Sequence, residues 1–186
     1  MSTKPNFVGD LQALPTYAFG ARSLTWWGVI AFLMSQESAW PPASYPPALI
    51  PGLLFTVTML LSEIPNTILK KATEAQQLDK VRFWIIVLDL IGVILLVIRA
   101  FEFAHVNVRW SDNAYGSIVW ALLLLHTIHI LTEWVESIVL TALMFTGHGR
   151  LPRRFVDVSE DCLYWRFVWI TWIPIFVLLY LVPRFV

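Results

Sequence analysis

The chain has little cysteine and little charge, and it lacks the short motifs that mark many soluble enzymes. Its single cysteine, Cys162, excludes an internal disulfide framework and a metal cluster built from cysteines. Charged residues make up only 14% of the chain and the formal net charge is zero, so the composition gives no indication of nucleic acid as a partner. A Gly-rich phosphate loop, a nucleophile elbow and an HExxH zinc motif are all missing. These absences therefore indicate no catalytic residues and no metal site of the cysteine or HExxH type.

Apolar residues are abundant instead. They make up 58% of the chain, which also contains ten tryptophans, and the mean hydropathy is +0.67. Five apolar stretches are candidate membrane spans, because a helix of about 20 residues crosses a bilayer; they cover residues 23–40, 48–69, 81–104, 115–145 and 162–181. The first is short and stops at the Pro-rich segment 41–47. The sequence predicts an all-α, polytopic transmembrane bundle of about five spans, with a segment over 1–22 followed by one transmembrane domain over 23–186.

Basic residues orient this bundle. Five spans place the N-terminus and the predicted loops 70–82 and 146–161 on one side of the membrane. That side holds nine of the thirteen basic residues, which are Lys4, Arg22, Lys70, Lys71, Lys80, Arg82, Arg150, Arg153 and Arg154. Short cytoplasmic loops carry an excess of Lys and Arg. The sequence therefore predicts a cytoplasmic N-terminus.

A polar stripe runs along the fourth span. It consists of His126, His129, Glu133 and Glu136, whose offsets of 3, 4 and 3 place them on one side of a helix. Ionisable groups inside a bilayer are costly. We therefore expect the polar stripe to face neighbouring protein, water or lipid headgroups.

Other charged residues fall inside the predicted spans. In the predicted orientation Glu63 and Asp89 lie in the cytoplasmic half and are candidates for proton collection or for packing. Arg166 lies there too, and we expect it to pair with one of the inner carboxylates. Arg99 is expected to pair with Glu102, one turn away. Because Arg166 is the one basic residue placed near the inner carboxylates, its loss is expected to harm assembly more than the loss of Arg99.

Three interpretations of the polar stripe stay open at this point. The four side chains form hydrogen bonds between helices, each contributing about 1 kcal/mol. Alternatively, they bind lipid headgroups or collect protons at an interface with a partner. In a third interpretation, His126 and His129 ligate a metal or haem, as in a membrane cytochrome.

Four stretches resemble those of one known family, subunit III of the haem–copper respiratory oxidases, in its short five-helix form. The resemblance runs from about Phe19 to Arg184, nearly the whole chain. The stretches that carry it are Phe19-Gly-Ala-Arg-Ser-Leu-Thr-Trp-Trp-Gly28, Arg99-Ala-Phe-Glu-Phe103, Tyr115-Gly-Ser with His126-Thr-Ile-His129, and Leu163-Tyr-Trp-Arg-Phe-Val168. Glu102, His126 and His129 match polar positions of the family. The chain departs from the family's pattern at Gln36, which aligns with a membrane-embedded glutamate of the family. It departs again at Arg166 and Trp169, where mitochondrial-type members carry His and Asp.

The resemblance implies a non-catalytic subunit of an oxidoreductase complex in the bacterial cytoplasmic membrane. Such a subunit has no redox cofactor of its own, packs beside subunit I, which holds haem and copper, and contacts other oxidase subunits. It binds phospholipid, stabilises the catalytic subunit and supports proton uptake. A subunit III-like partner of a nitric oxide reductase is the alternative within the same resemblance. The sequence does not encode the electron donor or the oxidant that the partner reduces.

Overall fold

The computed structural model describes residues 47–112, 114–181 and 184, which form helices joined by short connections. Helix α1 covers Leu49–Glu74, α2 covers Leu78–Ala104, α3 covers Ala114–Phe145 and α4 covers Pro152–Phe176. A 3-10 turn, Gly147–Arg150, precedes α4, and a π-helical turn, Val177–Leu181, follows it. The described residues contain no β-strand. The predicted all-α class is confirmed.

Four helices of the described part are long and apolar enough to cross a membrane. They correspond to the second to fifth predicted spans. The first predicted span, 23–40, and the segment 1–22 lie outside the described residues. The chain is a multi-pass membrane protein, and the orientation of its N-terminus stays a prediction.

The four helices pack as a ring. The main contacts join α1 to α2, α2 to α3, α3 to α4, and α4 back to α1. Buried apolar side chains from all four helices fill its centre, including Phe55, Ile85, Ile130 and Trp172. Large apolar side chains cover the outside, among them Leu61, Leu90 and Val139, each about half exposed. An apolar exterior of this kind suits a bilayer, where lipid rather than water solvates the outer face.

The last helix begins earlier than expected. We predicted a loop over 146–161, but α4 starts at Pro152. The first turns of α4 are charged and therefore escape a hydropathy criterion. They are helical because Pro152 occupies the first position, where its missing N–H costs nothing, and because Arg154 Nη1 donates to Asp157 Oδ2 at 2.8 Å, one turn away.

The predicted loop 70–82 is also shorter than expected. Only residues 75–77 separate α1 from α2. The backbone N–H groups of Gln76 and Gln77 return to the carbonyls of Thr73 and Ala72 at 3.0 Å each, which satisfies the end of α1. Gln76 adopts a positive φ of 53°, a conformation that glycine tolerates better than other residues.

Close packing between α2 and α3 depends on a glycine. The position where a Cβ would stand on Gly92 is occupied by the indole ring of Trp134. Trp134 Nε1 then donates to the backbone carbonyl of Asp89 at 3.0 Å. The absent side chain of Gly92 thus lets Trp134 lie flat against α2 and fixes the distance between these helices.

Candidate functional site

The centre of the bundle holds a buried arginine. Arg99 of α2 is 1% exposed, and its Nη1 donates to Glu102 Oε2 at 2.5 Å. The pair confirms the expectation from the sequence. Glu102 also accepts a hydrogen bond from the Tyr180 hydroxyl, which comes from the π-helical turn after α4. The carboxylate is therefore held by donors from two different elements.

The same arginine reaches the polar stripe. Arg99 Nη2 lies 2.9 Å from His126 Nδ1 on α3. His126 Nε2 lies 3.1 Å from the carbonyl of Val168 on α4. Because arginine only donates and a carbonyl only accepts, His126 is a neutral ring that carries its proton on Nε2.

Two aromatic rings enclose the Arg99 guanidinium. Its central carbon lies 3.7 Å from the ring centroid of Phe55 and 4.4 Å from a Trp172 ring. Trp172 is fixed in turn, because its Nε1 donates to Thr56 Oγ1 at 2.8 Å. Contacts with the faces of aromatic rings stabilise a cation that has lost its water. All four helices contribute to this set, together with the turn that extends α4. We call it the Arg99 cluster; it consists of Phe55, Arg99, Glu102, His126, Trp172 and Tyr180.

The polar stripe does not face inward as a whole. His126 and Glu133 are buried, at 3% and 1% exposure, whereas His129 is half-buried and Glu136 is exposed. The reason is helical geometry, since a step of seven residues returns to nearly the same direction and a step of three turns about 60° away from it. Glu136 is open to a neighbouring protein, to water or to lipid headgroups, and which of these it faces stays a prediction. Its carboxylate reaches the outer surface of α3.

An ion pair joins α4 to α1. Arg166 and Glu63 approach to 2.5 Å, with side-chain exposures of 39% and 22%. Arg166 Nη2 also donates to Thr67 Oγ1 at 3.3 Å. The expectation that Arg166 pairs with an inner carboxylate is confirmed. Arg166 is accessible and Arg99 is not, so we expect Arg99 to matter more for the folding of the chain itself. The expected ranking for assembly stays a prediction.

Carboxyl groups collect between α3, α4 and α2. Glu133 is 1% exposed and Asp161 of α4 is 6% exposed, and their carboxyl groups lie within hydrogen-bonding reach of each other. Asp89 of α2 is close by and accepts a hydrogen bond from Thr141 Oγ1 at 2.7 Å. We call Asp89, Glu133, Glu136 and Asp161 the inner acidic cluster. Sequence reasoning missed Asp161 because the residue fell in a predicted loop; the charged but periodic start of α4 was the signal that could have found it.

The geometry gives no support to metal or haem ligation by the stripe. Both ring nitrogens of His126 are engaged, one by Arg99 and the other by Val168. His129 points away, and its Nδ1 interacts with the carbonyl of Leu125 at 2.8 Å. Within the described ranges, no three His, Cys, Asp or Glu side chains gather as metal ligands. The two histidines therefore do not converge on one point.

These features define a class of protein, an integral membrane helical bundle with a buried arginine–glutamate pair between its helices. The model of the family Cytochrome c oxidase subunit III matches residues 26–183. The chain belongs to this family, which makes it an accessory subunit of an oxidase.

Named relatives agree with this family. The chain is 25% identical to cytochrome c oxidase subunit 3 of Synechocystis, over 87% of this chain and 77% of the relative. It is 24% identical to the probable cytochrome c oxidase subunit 3 of Mycobacterium tuberculosis, over 83% of this chain and 79% of the relative. A third, cytochrome c oxidase subunit 3 of Corynebacterium diphtheriae, is 25% identical over 70% of this chain and 65% of the relative. All three relatives are bacterial proteins.

Proposed function

We propose that this chain is the non-catalytic subunit III of a bacterial haem–copper terminal oxidase. It packs beside subunit I, stabilises it, and leaves the haem and copper chemistry to that partner. The observation that carries the proposal is the family match over residues 26–183. The Arg99 cluster supports it, because a central histidine whose two ring nitrogens are both engaged serves packing rather than ligation.

The proposed location is the bacterial cytoplasmic membrane, with the α1–α2 and α3–α4 connections on the cytoplasmic side. Arg82 supports placing both connections at one end of the bundle, because its Nε, at the start of α2, donates to the carbonyl of Met144, at the end of α3, at 2.8 Å. Basic residues concentrate at that end; they include Lys70, Lys71, Lys80, Arg150 and Arg153. An excess of positive charge favours retention in the cytoplasm.

We place a bound phospholipid along the outer face of α1. A groove of about 620 Å³ lies there, lined by Leu60, Leu61, Glu63, Ile64, Thr67 and Ile68. Its apolar lining suits an acyl chain. Arg166, beside Glu63 at the groove, is partly exposed and is a cation of the type that binds a lipid phosphate.

Support of proton uptake is the third part of the proposal. The inner acidic cluster lies nearer the proposed cytoplasmic end of α3 and α4 than the Arg99 cluster does, and Glu136 carries a carboxylate to the surface. A carboxylate on the outer face of α3 can pass protons between a partner subunit and the cluster. We expect Glu136, Asp89 and Glu63 to act in this collection if the cluster serves the partner.

Co-purification tests the central proposal. A tagged copy of the chain, expressed in its own host and extracted in mild detergent, is expected to bring down a haem-containing subunit I in one-to-one amount. Oxygen and nitric oxide consumption by that complex, with cytochrome c or quinol as donor, identifies the oxidant and the donor. Recovery of the chain alone would contradict the proposal, and nitric oxide consumption without oxygen consumption would assign it to a nitric oxide reductase.

A further inference from the structure

Glu133 has an unusual environment for a charged residue. It lies in the interior of α3 and is 1% exposed. Neither of its carboxyl oxygens accepts a hydrogen bond from a donor group in the described part of the chain, and Asp161 Oδ1 is likewise without a donor. The group that faces Glu133 is the Asp161 carboxyl of the neighbouring helix. Two acidic groups thus meet where water is excluded.

Two arginines within the spans have other partners. Arg99 binds Glu102 and His126, and Arg166 binds Glu63 and Thr67. Other titratable groups surround the pair: Glu136 on α3, Asp89 on α2, Cys162 and Tyr164 on α4, and Lys70 and Glu63 on α1 toward Cys162. Three of these neighbours, Glu63, Asp89 and Glu136, are carboxylic acids and do not offset a second negative charge.

Two ionised carboxylates within hydrogen-bonding reach of each other would repel strongly, because the protein interior screens charge far less than water does. Hydrogen bonding between two carboxyl groups requires that one of them carries the proton. We propose that Glu133 and Asp161 form a carboxyl pair that holds one exchangeable proton between α3 and α4. The use of this proton in proton uptake rests on the proposed function. The presence of the shared proton does not.

A third carboxyl group links the pair to the outer face of α3. Glu136 lies one turn from Glu133 on α3 and is exposed, and it is close enough to Asp161 to interact with its charge. A proton carried by Glu136 would therefore be close to the pair. Asp89, held by Thr141, borders the pair on the side of α2.

Infrared spectroscopy of the full chain, in its complex or in lipid nanodiscs, tests the proposal. A protonated carboxyl group gives a C=O band separate from those of carboxylates and amides, and this band shifts in D₂O when its proton exchanges. We expect Glu133→Gln and Asp161→Asn each to remove or displace the same exchangeable band. The matched control is Glu74→Gln, at the exposed end of α1, which is expected to leave that band unchanged. An unchanged band in either pair variant would overturn the proposal.

A second measurement avoids substitution, in case a variant fails to fold. Wild-type chain labelled with ¹³C at its glutamate or aspartate carboxyl carbons is expected to show the exchangeable band moving with at least one label. A band that moves with neither label, or no such band, would also overturn the proposal. Proton uptake during turnover separates the two questions: a lost band in Glu133→Gln with normal uptake supports the pair and rejects its role in uptake.

Discussion

Arg99 and His126 join the second and third described helices through a hydrogen bond of 2.9 Å between Nη2 and Nδ1. The bond links two motifs that are 27 residues apart in the sequence. It also sets the histidine's tautomer, so that Nε2 can donate to Val168 on α4. One arginine therefore organises the contacts of three helices.

Replacement of Arg99 by leucine is expected to be more harmful than the same change at Arg166. Arg99→Leu leaves the buried Glu102 without its cation, a loss of about 3 to 5 kcal/mol. Arg166→Leu leaves Glu63 without its partner, but Glu63 is partly accessible, so we expect a loss of only about 1 kcal/mol. The free energy of unfolding in mixed micelles measures both values. Equal destabilisation of the two variants would contradict the role given to burial. The control is Arg99→Lys, which keeps the charge but loses the planar guanidinium; its free energy of unfolding should lie between those of wild type and Arg99→Leu.

Tyr180→Phe removes the hydroxyl that donates to Glu102. The buried carboxylate then loses one of its two donors, which costs about 1 to 3 kcal/mol. Thermal unfolding of the purified chain should show a lower midpoint than wild type. Tyr164→Phe, which removes a hydroxyl from a half-buried position on α4, is the comparison variant and should shift the midpoint less. An unaffected Tyr180→Phe midpoint would show that Arg99 alone satisfies Glu102.

Gly92→Ala is expected to separate α2 from α3. Its new methyl group would collide with the Trp134 ring, and overpacking of this kind costs about 1 to 3 kcal/mol. Gly147→Ala is the control, since its added Cβ would meet no packing neighbour within 4 Å. A second change, Trp134→Leu, should recover part of the loss in the Gly92→Ala chain. The yield of folded protein and the unfolding midpoint are measured for each variant. Equal midpoints for the two glycine variants would argue against the contact between Gly92 and Trp134.

Gln76→Gly should stabilise the turn between α1 and α2. Gln76 has a φ of 53°, and glycine adopts this conformation without steric cost, so we expect a gain of about 0.5 to 1 kcal/mol. Gln77→Gly has no positive φ to relieve and should be neutral or destabilising. A lower unfolding free energy for Gln76→Gly would mean that the added flexibility of the unfolded chain outweighs the relief of backbone strain at position 76.

Local patterns predicted much of the fold and part of the site. The second to fifth apolar stretches are helices, and the ion pair between Arg99 and Glu102 follows from a spacing of three residues. Arg166 was expected to find an inner carboxylate, but only the packing of α4 on α1 selects Glu63. Asp161 escaped notice because hydropathy places charged helical turns outside a span.

The sequence by itself determined that this protein is a helical membrane bundle. It contains long apolar stretches, and in lipid such stretches must be helical because exposed backbone groups are costly there. Which side chains meet across helices depends on how each helix is rotated about its axis, and that is set by packing. Rotation of α3 turns His126 and Glu133 inward and Glu136 outward. It brings His126 to Arg99 and Glu133 to Asp161, two partnerships between distant residues that only the tertiary structure decided.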